Sequence, residues 1–314
     1  MLHHIPYMQT LSLVCQALRN RQVMRLFVCV IYSSYNFILG SEKRTGLDLI
    51  DDIIESLIAS QSKKINISEL RRVSENCNTR LMHSHVKENN FGKTYQKYRK
   101  LNKVKYEYTQ VQKYIVGRKI MDFGSGDGLF SEHLTKFGYD VWGTDVKDYR
   151  KHNKIKSRFS LIDIKSDFVL PPLRFDTTIV KSVFHHIAKD KLELFLNQIY
   201  GVTKSRVLIK EDIIVEGRRA ELPSKDVKNV LFERYSKLTL KEQFQFLALM
   251  DYFGNCVVQG LWFINLPFNF NSIGEWKKIL GKHKFNVRKI VPVLFDKNML
   301  HLGPHVWFIC DVER

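Results

Sequence analysis

Between residues 119 and 212 the hydrophobic pattern changes period repeatedly, from short apolar runs to amphipathic stretches and back. Lys119 to Phe123, Tyr139 to Asp145, Phe159 to Ile162, Asp176 to Lys181 and Arg206 to Lys210 read as short buried strands. Stretches with helical spacing, such as Asp190 to Tyr200, lie between them. Strands alternating with helices predict a parallel sheet covered on both faces, a doubly wound α/β fold. Phe285 to Val293 and His305 to Val312 are two further strand patterns, close enough to form an antiparallel pair. Seven strands are therefore expected, five in parallel β/α steps and two in a C-terminal antiparallel pair.

The pattern outside this core is helical. Leu26 to Leu39 is uncharged and follows Arg19, Arg21 and Arg25. As a helix it rises about 21 Å, short of a hydrocarbon core of about 30 Å, so a buried or interfacial helix is expected, with a signal or anchor as the alternative. Leu47, Ile50, Ile53, Ile54, Leu57 and Ile58 recur at helical spacing among acids. Between the fifth strand and the last two, Lys237 to Met250 is a third amphipathic helix, and another runs through Trp276 and Leu280. Two regions are expected: a helical, basic one over 1–100, and an α/β domain over 101–314 with an insertion at about 213–283. An insertion at the carboxyl edge of a parallel sheet is the natural lid and substrate wall.

Composition narrows the class. The chain has 314 residues, 44% of them hydrophobic and 12% aromatic, enough to bury a sizeable core, which excludes a disordered or disulfide-scaffold protein. Its five cysteines are scattered and form neither a C-x-x-C pair nor a zinc spacing; no metal site is expected, and a reducing, cytoplasmic setting is. Net charge is +18, and residues 62–118 alone carry 14 Lys or Arg against 4 Asp or Glu. Phe91, Tyr95, Tyr98, Tyr106 and Tyr108 are interleaved with these bases. Aromatics among cations can stack bases and hold phosphates, while the plainer reading is a helix with tyrosines inward and lysines in water.

The candidate chemistry begins where the first strand ends. Asp122 closes the strand and Gly124, Ser125, Gly126, Asp127 and Gly128 open a helix, the order of an α/β nucleotide site. A dinucleotide fingerprint needs glycine at 129, which is Leu129, and no G-x-x-x-x-G-K-[ST] loop occurs. What remains is D-x-G-x-G-x-G, followed 23 residues after Asp122 by Asp145 at the end of the second strand.

This string resembles the first motif of class I S-adenosylmethionine-dependent methyltransferases, and F-D-x-x-x-x-x-S-V-x-H-H-I at the fourth strand resembles their small-molecule branch. D-Y-F-G-N from Asp251 to Asn255, followed by P-x-N-F, resembles a bacterial subgroup. The likeness covers about residues 105–314 and implies a Rossmann-like sheet with S-adenosylmethionine as cofactor and S-adenosylhomocysteine as product. It implies that Asp122, Gly124, Ser125, Gly126 and Gly128 seat the methionine part, with Lys181 as a further cofactor-binding residue. Asp145 would accept from the ribose hydroxyls, with Val146 beside it, and Asp163 with Ile164 would meet the adenine.

His185 and His186 after the fourth strand, and Asp251 in the insertion, are the candidate catalytic residues, with Glu211 and Asp212 beyond the fifth strand as further acids. A base is needed only where the acceptor must lose a proton. No N/D-P-P-Y or N-P-P-F motif follows the fourth strand, which counts against nucleic-acid and protein N-methylation. A small or lipid-like acceptor is the leading expectation. An RNA methyltransferase using residues 62–118, and a non-catalytic relative that binds the donor, are the alternatives; residues 1–45 could contact a membrane surface.

Overall fold

The computed structural model describes residues 4–27, 29–30, 91–150, 158–162, 170, 173–216, 222, 230–258, 266–295 and 302–314. The amphipathic pattern at 47–58, most of the basic stretch, Asp163, Ile164 and Trp262 lie outside them. The chain divides into two compact units, one of residues 1–98, 214–270 and 294–304 and one of residues 99–213, 271–293 and 305–314.

The second unit carries the expected sheet. β1 (Lys119–Phe123), β2 (Asp140–Asp145), β3 (Arg158–Leu161), β4 (Phe175–Lys181) and β5 (Thr203–Ile214) are parallel neighbours. β7 (Phe285–Pro292) and β8 (His305–Val312) form the antiparallel pair, and β8 runs antiparallel to β5. The order is β3-β2-β1-β4-β5-β8-β7, and a two-residue strand absent from the sequence pattern, β6 (Asn271–Ser272), pairs with β5 as the eighth.

Period-two alternation divides this sheet into two apolar faces. Ile120, Ile179, Leu208, Trp307 and Ile309 pack with Tyr108 and Val111 of α2 (Phe91–Val111) and with Phe130 and Leu134 of α3 (Leu129–Lys136). On the other face Phe123 meets Phe195 of α4 (Lys189–Val202) edge to face, with centroids 5.9 Å apart. There too Trp276 of α7 (Ile273–Lys282) lies 5.8 Å from Phe184 and 6.4 Å from Phe308. Phe268, Phe270 and Trp276 are core residues. The plainer reading of α2 holds where its side chains are described, since Tyr108 is buried and stacked on Phe137 while Lys105 is exposed.

In the first unit α1 (His4–Arg19) packs against α6 (Leu240–Tyr252). Between α1 and the helical residues 21–27, Asn20 accepts from the amides of Gln22 and Val23 and donates to Gln245 and Glu242 of α6. Leu26, Phe27 and Val30, at the start of the uncharged segment, are buried, and Phe27 meets Phe253 edge to face. Among the described residues no helix is long and apolar enough to cross a membrane. Tyr235 of α5 (Val230–Ser236), Phe246 and Phe295 form the aromatic centre of this unit.

Candidate functional site

β1 is the central strand of the parallel half, flanked by β2 and β4, and it delivers Asp122 to the floor of the glycine loop. The loop turns sharply because Gly124, Gly126 and Gly128 take φ of +69°, +55° and +75°, values that disfavour any side chain with a Cβ. The amides of Gly124 and Ser125 donate to the Thr144 carbonyl at 2.8 and 2.9 Å, tying the loop to β2. Gly128 caps α3, and Gly128 N–H closes onto Ser125 O at 3.0 Å.

The glycines differ in what surrounds them. A Cβ on Gly124 would lie 2.3 Å from Val183 Cγ2, so this glycine lets the loop press against the segment after β4. A Cβ on Gly126 would meet nothing within 4 Å, which leaves the loop's outer face open. Beside it Asp145 Oδ2 accepts from Gly126 N–H at 2.8 Å and Oδ1 from Val146 N–H at 2.7 Å. Burial pushes the Asp145 carboxyl up from its ordinary value, and the amides of Gly126, Val146 and Lys147 pull it back. A carboxylate has about four acceptor sites, so beyond these backbone amides one remains for a ribose hydroxyl. Val146, next to Asp145, is half exposed.

Beneath the loop Asp122 is fully buried; Oδ2 accepts from Ser131 Oγ at 2.6 Å while Oδ1 has no hydrogen-bond partner. Burial raises its pKa, against the Lys181 charge and the Ser131 hydroxyl. Ser125 Oγ is also buried without a partner. Orphaned polar groups of this kind are rare, and these two lie in the glycine loop and in the strand that leads into it. The residues present therefore fit a donor with a ribose and an amino-acid tail: an open backbone face at Gly126, a remaining acceptor site on Asp145, and a spare hydroxyl on Ser125.

The candidate bases follow β4. Ser182 sits at φ +54°, and its N–H donates to Lys210 O at 2.7 Å. The short turn it starts carries His185, which is 2% exposed, and His186, their rings edge to face with centroids 4.3 Å apart. Glu211 of β5 organises the turn: Oε1 accepts from the amides of Val183 (3.0 Å) and Phe184 (2.8 Å), and Oε2 lies 2.5 Å from His185 Nδ1. A carboxylate there holds the proton on Nδ1 and leaves Nε2 as the basic nitrogen. Asp212 points elsewhere, 3.4 Å from His305 Nε2. Asp251 belongs to the first unit, on α6, where Oδ1 accepts from Asn255 Nδ2 at 2.7 Å.

Lys181 lies beside the loop, Nζ 3.7 Å from the centroid of the Phe130 ring and 3.2 Å from Glu107 Oε2. Glu107, which no local sequence signal marks, also takes Lys210 Nζ at 2.5 Å. The assignments to Asp163 and Ile164 fall outside the described residues.

Residues 121–209 match the model of a family described as a methyltransferase domain. Among solved structures, the chain is similar to human N-acetylserotonin methyltransferase in complex with SAM (16% identity, 88% of this chain and 70% of that one, TM-score 0.45). It is also similar to magnesium protoporphyrin IX methyltransferase from Synechocystis PCC 6803 with bound SAH (14% identity, 86% and 95%, TM-score 0.41). A third is the 1,6-didemethyltoxoflavin-N1-methyltransferase of Burkholderia thailandensis (12% identity, 62% and 71%, TM-score 0.41). No curated protein matches the sequence.

Proposed function

We propose that this chain, whose residues 121–209 form a class I S-adenosylmethionine-dependent methyltransferase domain, transfers the methyl group of that cofactor to a small or lipid-like organic acceptor. The observation that carries the reading is the seat around Gly126, where an unobstructed backbone face and the Asp145 carboxylate stand side by side.

When bound, the cofactor supplies an electrophilic methyl on a sulfonium that leaves as a neutral thioether. The residues of the chain hold, orient and deprotonate. The glycine loop and Asp145 fix the donor, and fixing both reactants is worth about 7 to 11 kcal/mol at best. His185, its Nδ1 held by Glu211, is the base for an acceptor that carries a proton, taking it on Nε2. His186 and Asp251 are the remaining candidates, and residues 213–283 are assigned the choice of acceptor. A base that is almost wholly buried suits an acceptor enclosed away from water. The K-S-V-F continuation of β4 supports the same class, because it lacks the N/D-P-P-Y pattern of nucleic-acid amino methylation.

Titration calorimetry with S-adenosylhomocysteine tests the donor site. The wild type is expected to bind, and Asp145→Ala to bind roughly tenfold to a hundredfold more weakly, the value of losing charge-assisted hydrogen bonds. Equal affinities would remove Asp145 from the site, and no binding by folded wild type would remove the reading itself.

A further inference from the structure

Two lysines stand side by side in the parallel sheet, a placement that costs free energy unless something offsets it. Lys181 on β4 and Lys210 on β5 are direct register partners on adjacent strands. Alternation puts both on the face that α2 covers, together with Asp122 on β1. Like charges opposite one another destabilise a sheet, and Lys210, 1% exposed, also loses nearly all its water. Burial pulls its pKa down, with Glu107 opposing. Glu107 of α2, itself 3% exposed, divides its carboxylate between the two ammonium groups: Oε1 to Lys210 at 2.5 Å and Oε2 to Lys181 at 3.2 Å.

A purely structural position would be better filled by apolar side chains, because a buried ion cluster is often neutral or worse than its hydrophobic replacement. The surroundings show what the cluster serves. Lys181 Nζ lies over the ring of Phe130, the second residue of the helix that the glycine loop opens, and its charge acts on Asp122 below the loop. Lys103 Nζ, 3.9 Å from Oε1, is a third cation on the same glutamate, and Lys181 keeps hydrogen-bonding capacity beyond its bond to Glu107, since an ammonium has three donors. The donor's adenosine end is accounted for by Asp145; its other end is an amino acid, and a carboxylate is the group an ammonium at this place would receive.

We propose that Glu107 is a positioning residue, which with Lys210 as counter-ion holds the Lys181 ammonium at the glycine loop for the carboxylate end of the methyl donor. This rests on the donor-site reading above and goes beyond it by tying α2 to recognition of one part of the donor.

The test compares two ligands. S-adenosylhomocysteine carries the amino-acid end, and 5′-methylthioadenosine keeps the adenosine and the thioether but lacks that end. Calorimetry on the full chain is expected to show Glu107→Gln weakening S-adenosylhomocysteine roughly tenfold or more while 5′-methylthioadenosine changes less than about twofold. Glu107→Asp, which keeps the charge, is expected to recover part of the loss. Equal weakening of both ligands would make Glu107 a general structural residue and overturn the proposal, as would no change in either. If Glu107→Gln does not fold, the volume-conserving double variant Glu107→Met, Lys210→Met, which removes the buried pair and leaves Lys181 unpinned, is read by the same ratio. Failure of the wild type to bind both ligands would instead defeat the donor-site reading.

Discussion

A methyl group at Gly124 would come within 2.3 Å of Val183, whereas one at Gly126 would meet nothing within 4 Å, although both backbones lie in the left-handed region. The two substitutions should therefore fail differently. Gly124→Ala combines backbone strain with a clash inside the fold, and is expected to cost about 2 kcal/mol or more in urea unfolding. Gly126→Ala carries the strain alone, about 1 kcal/mol, but puts a methyl on the face where the donor would lie. It is expected to remain folded and lose most of its S-adenosylhomocysteine affinity by calorimetry. Should Gly126→Ala bind normally, the open face of the loop is not the seat of the donor. The glycine spacing and the two aspartates that matter here were legible in the sequence because they lie within 24 consecutive residues, and the spacing of a tight turn is a local property. The roles of Glu107 and Glu211 were not. Glu107 meets Lys210 across 103 positions, and Glu211 meets His185 across 26, contacts that exist only once strand order and register are set.

Strand and helix periods are also local, and the elements followed them closely. β1 and β8 have the bounds the pattern predicts, and the other strands of the seven differ at their ends, β5 most because its run continues through the polar pair Glu211 and Asp212. α7 lies within the expected insertion, yet it packs on the sheet through Trp276 and belongs to the second unit, a choice of partner that an amphipathic pattern does not encode. β6, two residues long, is too short for any period to show. One element boundary gives a pH prediction. Asp176 on β4 accepts from the amides of Arg118 and Lys119 at 3.0 Å each, pinning the start of β1 next to Gly117. The Lys119 amide, with the Arg118 amide and Lys204, holds its carboxyl below the ordinary 3.8. A carboxyl whose folded pKa is depressed contributes stability that is present above the unfolded value and lost as pH falls through the folded one. Thermal unfolding of the wild type is thus expected to shift downward as pH drops below about 4. Asp176→Asn should lower the midpoint at pH 7 and narrow its gap to the wild type in acid. A gap that stays constant with pH would show that the carboxylate charge is not what holds this corner.

At the scale of the whole molecule the charge of +18 is the property that the donor site does not use, and it separates the acceptor classes by physics rather than by likeness. A protein that neutralises Z phosphates releases counter-ions in proportion, so affinity for a duplex falls with salt at a slope near −0.9Z, or about −0.7Z on a single strand. A metabolite held against buried groups such as His185 and Glu211 displaces few counter-ions, because charges more than about 8 to 10 Å away are screened at physiological salt. Methyl transfer from isotopically labelled S-adenosylmethionine can be counted separately in the small-molecule, lipid and RNA fractions of a cell extract, at about 50 and 200 mM salt. The label is expected in the small-molecule or lipid fraction, at rates that differ less than about threefold between the two conditions. Label in RNA, with a loss on the order of a thousandfold for six or more phosphate contacts, would assign the basic stretch at 62–118 a grip on the substrate. The acceptor assignment would then fall while the donor seat at Gly126 and Asp145 stood unchanged, since the two rest on different residues and respond to different measurements.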